Sequence, residues 1–113
     1  MDEAACGGQE IAAAQGVARV VYSSRALDDI ERLFQFLAEH DEHAAEASYE
    51  AITSSVELLA SHPYVGRRVD GEVRELVISY GRTGYVALYR YLPAVGEIRI
   101  LAIRHQRELD YPL

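Results

Sequence analysis

The chain has 113 residues, of which 50% are hydrophobic and 26% are charged, and this size and composition fit one globular domain. No apolar run approaches the roughly 18 residues that a membrane-spanning helix needs, and a lone cysteine excludes an intramolecular disulfide. The net charge of -7 excludes a protein whose whole surface grips nucleic acid.

Charge is distributed unevenly along the chain. Residues 1–60 hold twelve Asp and Glu and three Arg, a net of -9, whereas residues 61–113 hold six acids and eight Arg, a net of +2. All fixed positive charges are arginines, whose planar guanidinium groups suit carboxylates and phosphates. A GC-rich genome is the simpler explanation of this arginine usage. The second half is therefore mildly basic, and its arginines alone do not indicate a function.

The first elements are an extension, a strand and a helix. Residues 1–16 are rich in Ala, Gly and acids, so we expect a flexible extension, with the domain over residues 17–113. Its acidic start does not resemble a secretory signal. The run VARVVY predicts a strand over residues 17–22, and the Ser-Ser pair after it predicts a helix N-cap.

Helical periodicity follows, up to near His40. The apolar stripe of this first helix comprises Ala26, Ile30, Leu33, Phe34 and Leu37. Asp28 and Asp29 are expected to be surface residues of the first turn that stabilise the helix dipole. A second helix is predicted to start after Asp41 or Glu42 and to end before Pro63, with the stripe Ala45, Tyr49, Ile52, Val56 and Leu59.

The remainder predicts a loop and three strands. Residues 62–72 contain one proline and two glycines and are interpreted as a loop, and strands are predicted over residues 73–79, 85–92 and 97–104. Short turns between them predict an antiparallel meander. The resulting architecture is α+β, in the order β-α-α-β-β-β, with a helical hairpin packed on an antiparallel sheet. In the middle strand, we expect a tyrosine- and arginine-bearing face to stay partly open.

Common catalytic motifs do not assign an activity. The sequence contains no P-loop, GxGxxG, HExxH or CxxC pattern and no nucleophile elbow. Guanidinium groups can hold phosphates, an imidazole exchanges protons near neutral pH, and a tyrosine can stack on a base. A polar cluster of this kind would suit phosphodiester chemistry and comprises Arg67, Arg68, Arg74, Arg82, Arg90, Arg104, His105, Arg107 and Tyr111.

Two other interpretations compete with catalysis. Most of these arginines would form solvated cross-strand pairs with glutamates, and a lone histidine such as His105 is more often structural. The chain also has eight tyrosines, a residue type that is enriched in protein–protein contacts. A binding function is thus supported independently of catalysis.

The order and spacing of four segments resemble the ParE/RelE superfamily of bacterial type II toxins, also called plasmid-stabilisation proteins, over about residues 17–111. The segments are VVYSSRALDDIERLFQFL, the loop HPYVGR, VRELVISYGRTGYVALYR and ILAIRHQRELDY. The resemblance implies a small toxin that a cognate antitoxin neutralises by wrapping a disordered segment around it, in a toxin–antitoxin hetero-oligomer. Such a segment would use an apolar surface with arginines that pair with its carboxylates.

The resemblance implies two alternative targets. ParE-like members poison DNA gyrase, whereas RelE-like members enter the ribosomal A site and cut mRNA. The nucleases usually carry Arg directly after the aromatic residue of a GYR-like motif, where this chain has Val86, and lysines near Val77 and Ser79. His105 and Tyr111 match positions near the C-terminal His, Arg and Tyr of some nucleases. The absence of the nuclease residues at Val86, Val77 and Ser79, together with the net charge, favours the ParE branch. A gyrase inhibitor is therefore favoured over an enzyme.

Three functions are therefore compared. The favoured gyrase-directed toxin would bind its target or antitoxin through Arg67, Arg74, Arg82, Tyr89, Arg90, Arg104, His105 and Arg107. A ribosome-dependent mRNA endonuclease would use Arg74 or Arg82 with His105, Arg107 and Tyr111. The third function is that of a non-toxic relative that only binds an antitoxin. No cofactor, metal or membrane is predicted, and the expected location is the cytoplasm.

Overall fold

The structure is a computed structural model that describes residues 17–80 and 83–106. The predicted extension, residues 1–16, lies outside the described residues. The elements in chain order are β1 (Arg19–Tyr22), α1 (Ser24–Ala38), α2 (Glu42–Glu57), a 3-10 turn (Leu58–Ala60), β2 (Arg67–Asp70), β3 (Val73–Tyr80), β4 (Thr83–Leu92) and β5 (Glu97–His105). The α+β class, with a helical hairpin on a sheet, is confirmed.

Side-chain caps start both helices where the sequence predicts. The Ser23 hydroxyl accepts a hydrogen bond from the Ala26 amide at 3.0 Å, which satisfies one of the free amides at the start of α1. The Asp41 carboxylate accepts from the His43 and Ala44 amides at 3.1 and 3.2 Å at the start of α2. The predicted hairpin of two amphipathic helices is thus confirmed.

The sheet has five strands in the order β1-β5-β4-β3-β2. The predicted antiparallel meander of β3, β4 and β5 is confirmed. β1 pairs with β5 in parallel, so the sheet is mixed, and β2 adds an antiparallel edge strand within the segment interpreted as a loop. All four residues of β2 are exposed, and without an inward apolar residue the segment has no strand pattern to detect.

The core lies between the helical hairpin and one face of the sheet. Tyr85, Ala87 and Tyr89 of β4 are at most 2% exposed and pack with Ile30 and Ile52 of the helices. The expectation that this tyrosine face stays open is therefore wrong. Tyrosines can fill a core when their hydroxyls find partners, and those of Tyr85 and Tyr89 do so, as described below.

Candidate functional site

Arginines line the sheet face opposite the helices. Strand register places their side chains with the outward residues of all five strands. This surface is called the open face, and its residues include Arg19, Val21, Arg67, Asp70, Glu75, Val77, Val86, Leu88, Arg90, Glu97, Arg99 and Arg104. Within it, Val86 is itself only 3% exposed. Among the described residues, five guanidinium groups thus share the open face with three carboxylates, those of Asp70, Glu75 and Glu97. The mild positive charge of the second half of the chain is concentrated there.

Two of these arginines hold a buried carboxylate. Arg99 donates to Glu97 Oε2 from Nε at 2.9 Å, and Arg19 Nη2 donates to Oε1 at 3.0 Å. The hydrogen bond from Arg99, followed by that from Arg19, lowers the pKa of the Glu97 carboxyl below its ordinary value. Arg99 and Arg19 therefore keep Glu97 ionised, and two guanidinium groups on one carboxylate leave the triad with a net positive charge.

The Glu97 ion triad predicts an acid-sensitive contribution to stability. In the folded protein the pKa of Glu97 lies below its ordinary value of 4.5. The ionised carboxylate therefore stabilises the fold above pH 4.5, and this contribution disappears as the pH falls through the folded pKa. Glu97→Gln should therefore lower the free energy of unfolding at about pH 7, and the difference from wild type should shrink by about pH 3.5. Urea unfolding at both pH values measures it, with exposed Glu50→Gln as control. A difference that is equal at both values would contradict the prediction.

Other arginines of the open face lack an acidic partner. Arg67 donates to Glu75 and forms one of the expected cross-strand pairs. Arg90 lies directly opposite Arg99, and neither Arg90 nor Arg104 forms an ion pair within the described part of the chain. Like charges opposite each other on a sheet are unfavourable. A partner carboxylate at Arg90 would relieve this repulsion, and one at Arg104 would give that guanidinium group an ion-pair partner.

The remaining predicted site residues do not join this surface. Tyr89 is fully buried; it donates to the Pro63 carbonyl at 2.8 Å and accepts from the Gly66 amide at 2.9 Å. Burial raises the pKa of its hydroxyl, which keeps the proton available for Pro63. Arg74 shares the side of the sheet that carries Tyr89 and donates to loop carbonyls. Both side chains therefore fix the loop before β2.

His105 also lies on the helix side of the sheet. Its ring packs edge-on against Tyr85, with the centroids 5.4 Å apart, and Tyr85 donates to the Ser48 hydroxyl at 3.3 Å. The structure thus places His105 and Arg74 on one side of the sheet and Arg67, Arg90 and Arg104 on the other. Three predicted residues, Arg82, Arg107 and Tyr111, lie outside the described residues.

Asp29 is a residue whose role the sequence analysis missed. It is only 8% exposed, and both Asp28 and Asp29 lie beyond the first turn of α1, so the prediction of two first-turn dipole residues is wrong. Its carboxylate accepts from the Ile103 amide at 3.0 Å, next to a register shift in β5. The detectable signal was its spacing, since it is three residues after Ala26 and four before Leu33 on the buried stripe.

Ser23 supports the same part of β5. Its hydroxyl donates to the Leu101 carbonyl at 3.0 Å, and its amide donates to the Ile100 carbonyl at 2.9 Å. Leu101 is the extra residue of the bulge, because Leu88 pairs with Ala102 and Tyr89 with Ile100. The start of α1 thus fixes the bulge that places Arg104 on the open face.

Two kinds of site are missing from the described part of the chain. No group of three or more His, Cys, Asp and Glu is arranged there to hold a metal ion. No helix of the described ranges is long and apolar enough to cross a membrane.

Comparison with known proteins assigns the class of this fold. The sequence model of the family described as "ParE toxin of type II toxin-antitoxin system, parDE" matches residues 20–110. Among solved structures, the chain resembles one titled "Chromosomal ParDE TA system from P. aeruginosa", with a TM-score of 0.67 and 19% identity over 80% of this chain and 97% of that one. It also resembles a chain of the toxin–antitoxin complex RelBE2 from Mycobacterium tuberculosis, with a TM-score of 0.52 and 22% identity over 80% and 99% of the two chains.

The curated relatives that the chain matches are named RelE toxins. Toxin RelE3 of Caulobacter vibrioides is 38% identical over 74% of this chain and 89% of its own length. Toxin RelE1 of the same organism is 36% identical over 65% of this chain and 78% of its own. The chain belongs to the ParE toxin family and is a type II toxin of the ParE/RelE superfamily.

Proposed function

We propose that this toxin acts by protein contact on DNA gyrase and that a cognate antitoxin neutralises it by covering the open face. The observation that carries the proposal is the composition of the open face, which is arginine and aliphatic. Among the strands that the structure describes, no histidine or tyrosine lies on this face. Of its carboxylates among the described residues, Glu75 and Glu97 are paired with arginines, and Asp70 lies on the exposed edge strand β2.

This composition suits docking better than RNA cleavage. Phosphodiester cleavage by a protein needs an acid and a base within reach of the same phosphate. Of the predicted nuclease residues that are described, Arg74 and His105 lie on the helix side of the sheet but are not neighbours, because Arg74 pairs with Tyr89 and His105 with Tyr85, at separate positions of β4. The net charge of -7 also opposes approach to a ribosome.

The antitoxin segment is proposed to be amphipathic and acidic. Val77 and Leu88 form an aliphatic strip on the open face, and Val77 is 52% exposed. Arg90 and Arg104 flank this strip without ion-pair partners among the described residues. An extended or helical segment with alternating apolar and acidic residues would bury the strip and satisfy both guanidinium groups.

Charge reversal on the open face should weaken antitoxin binding. The double variant Arg90→Glu, Arg104→Glu replaces two attractive contacts with repulsive ones, so the dissociation constant should rise about a hundredfold. Calorimetric titration with the purified cognate antitoxin at low and high salt measures it. Glu50→Arg, a charge reversal at an exposed position of α2 away from the sheet, is the control and should bind as wild type. If the double variant unfolds at the wild-type temperature and binds the antitoxin with wild-type affinity, the open face is not the antitoxin-binding surface.

The target is tested by inducing this chain alone in a bacterial host. Viability, the SOS response and mRNA integrity are followed in the same culture, and purified chain is added to gyrase supercoiling and cleavage assays. Killing with SOS induction, intact mRNA and altered gyrase activity is expected. Unaffected gyrase at saturating toxin would refute the proposal.

A second function is kept because three curated relatives are named RelE toxins. Killing with cleaved mRNA would assign the chain to ribosome-dependent mRNA cleavage. Harmless expression without antitoxin would indicate a non-toxic antitoxin-binding relative. Both candidate targets are cytoplasmic, so the cytoplasm is the proposed location.

A further inference from the structure

An exposed tyrosine stands on a fixed loop between the 3-10 turn and β2. The buried Tyr89 hydroxyl holds both ends of this loop through the Pro63 carbonyl at 2.8 Å and the Gly66 amide at 2.9 Å. Arg74 Nη1 donates to the carbonyls of Tyr64 and Gly66 at 3.2 and 2.7 Å. Between these bonds, Tyr64 is 61% exposed. A ligand that stacks on Tyr64 would meet a preorganised loop and lose little entropy to ordering it.

Two arginines stand opposite each other beside this tyrosine. Arg68 and Arg74 are direct partners across β2 and β3. Arg68 donates to the Gly71 carbonyl from Nε and Nη2, both at 3.1 Å, so backbone carbonyls orient both guanidinium groups. In the described ranges neither arginine forms an ion pair with a carboxylate. Each keeps unused N–H donors, and an anion between them would offset their mutual repulsion.

The tyrosine and the two arginines line one recess of about 240 Å³ on the helix side of the sheet, away from the open face. Its residues are Tyr64, Arg68, Glu72, Arg74, Tyr91 and Pro93. Tyr91 meets the Tyr64 ring edge-on at 5.2 Å between centroids, and the Arg74 guanidinium carbon lies 5.0 Å from the Tyr64 centroid. The Glu72 carboxylate supplies an acceptor for hydroxyl or amine donors and disfavours a second anion near it.

We propose that this recess binds a nucleotide unit. Its phosphate lies between the Arg68 and Arg74 guanidinium groups, which can hold phosphate oxygens bidentately. Its base stacks on the exposed ring of Tyr64, and a sugar hydroxyl or base amine donates to Glu72. The aromatic ring alone or the paired arginines alone would not select this ligand. Together they favour a ligand in which an anionic group lies next to a planar ring. The inference does not rest on the proposed gyrase target.

Calorimetric titration of the purified full chain with adenosine monophosphate tests the recess. We expect saturable binding, and binding of inorganic phosphate should be at least about tenfold weaker because phosphate lacks the ring. Arg68→Met should weaken binding of the nucleotide about tenfold through the lost charge-assisted hydrogen bonds. Tyr64→Leu should reduce the nucleotide to the affinity of phosphate. Arg25→Met, which removes the same charge from α1, should bind as wild type.

A single-stranded tetra-adenylate in the same titration distinguishes the sources of the nucleotide. Binding about tenfold tighter than that of the mononucleotide identifies a nucleic acid strand, and equal affinity identifies the free nucleotide. Tyr64 and Arg68 are exposed, so both variants should unfold at the wild-type temperature. The proposal is overturned if adenosine monophosphate gives no saturable binding, or if both folded variants bind it as tightly as wild type.

Discussion

Gly66→Ala is expected to lower the free energy of unfolding by about 3 kcal/mol, because the added methyl group has no space. A Cβ at Gly66 would lie 2.6 Å from the Tyr89 hydroxyl, 2.7 Å from Tyr89 Cε1 and 2.7 Å from the Glu75 carbonyl oxygen. The carbonyl belongs to the β3 backbone, and the tyrosine ring is fully buried, so neither can move without disturbing the core. Urea unfolding of the variant measures the effect.

Gly71→Ala is the matched control for the added methyl. Gly71 has a positive φ of 57°, and a Cβ at this position would have no atom within 4 Å, so the substitution strains the backbone without a clash. The expected cost is about 1 kcal/mol. If Gly66→Ala cost no more than Gly71→Ala, the loop would yield to the methyl and the fixed position of Tyr64 would be refuted.

The helices and the meander could be predicted because their signals are local. Period and caps define α1 and α2, and short turns define the pairing of β3, β4 and β5. The parallel pairing of β1 with β5 has no local signal, because the two strands lie at opposite ends of the domain. β2 is an edge strand that pairs only with β3 among the described strands, and its exposed residues carry no strand pattern.

The buried face of β4 could not be assigned from alternation. A period of two shows that Tyr85 and Tyr89 share one face and that Val86 and Leu88 share the other, but it does not show which face meets the helices. Hydropathy alone favours burial of the aliphatic set. The tyrosine face can be buried because the Pro63 carbonyl and the Ser48 hydroxyl accept hydrogen bonds from the tyrosine hydroxyls. Both acceptors are distant from β4 in sequence.

The division of the predicted site residues between two faces has a similar cause. Along β5 a strict alternation from Ile100 would put Arg104 on the helix side and Ile103 on the open face. The bulge at Leu101 reverses this order, so Ile103 is buried and Arg104 is outward. Nothing in the strand itself marks the bulge. Its signal lies about 70 residues earlier in α1, at Asp29.

Asp29→Ala should therefore reduce stability by about 2 to 3 kcal/mol, the cost of a buried amide without a partner. The Ile103 amide would lose its acceptor and its hydrogen exchange should become faster, whereas the Ser23 amide, which still donates to the Ile100 carbonyl, should stay protected. Urea unfolding and amide exchange measure the two effects.

Asp29→Asn separates the hydrogen bond from the charge of Asp29. Its amide oxygen can still accept from Ile103, and the ion pairs with Arg25 and Arg32, at 3.9 and 3.6 Å, involve exposed guanidinium groups that contribute little. We expect this variant to lose less than about 1 kcal/mol and to keep the Ile103 amide protected. Equal losses in both variants would assign the role of Asp29 to its charge. A larger loss in the alanine variant would assign it to the hydrogen bond between the Asp29 carboxylate and the Ile103 amide, beside the β5 bulge that turns Arg104 outward.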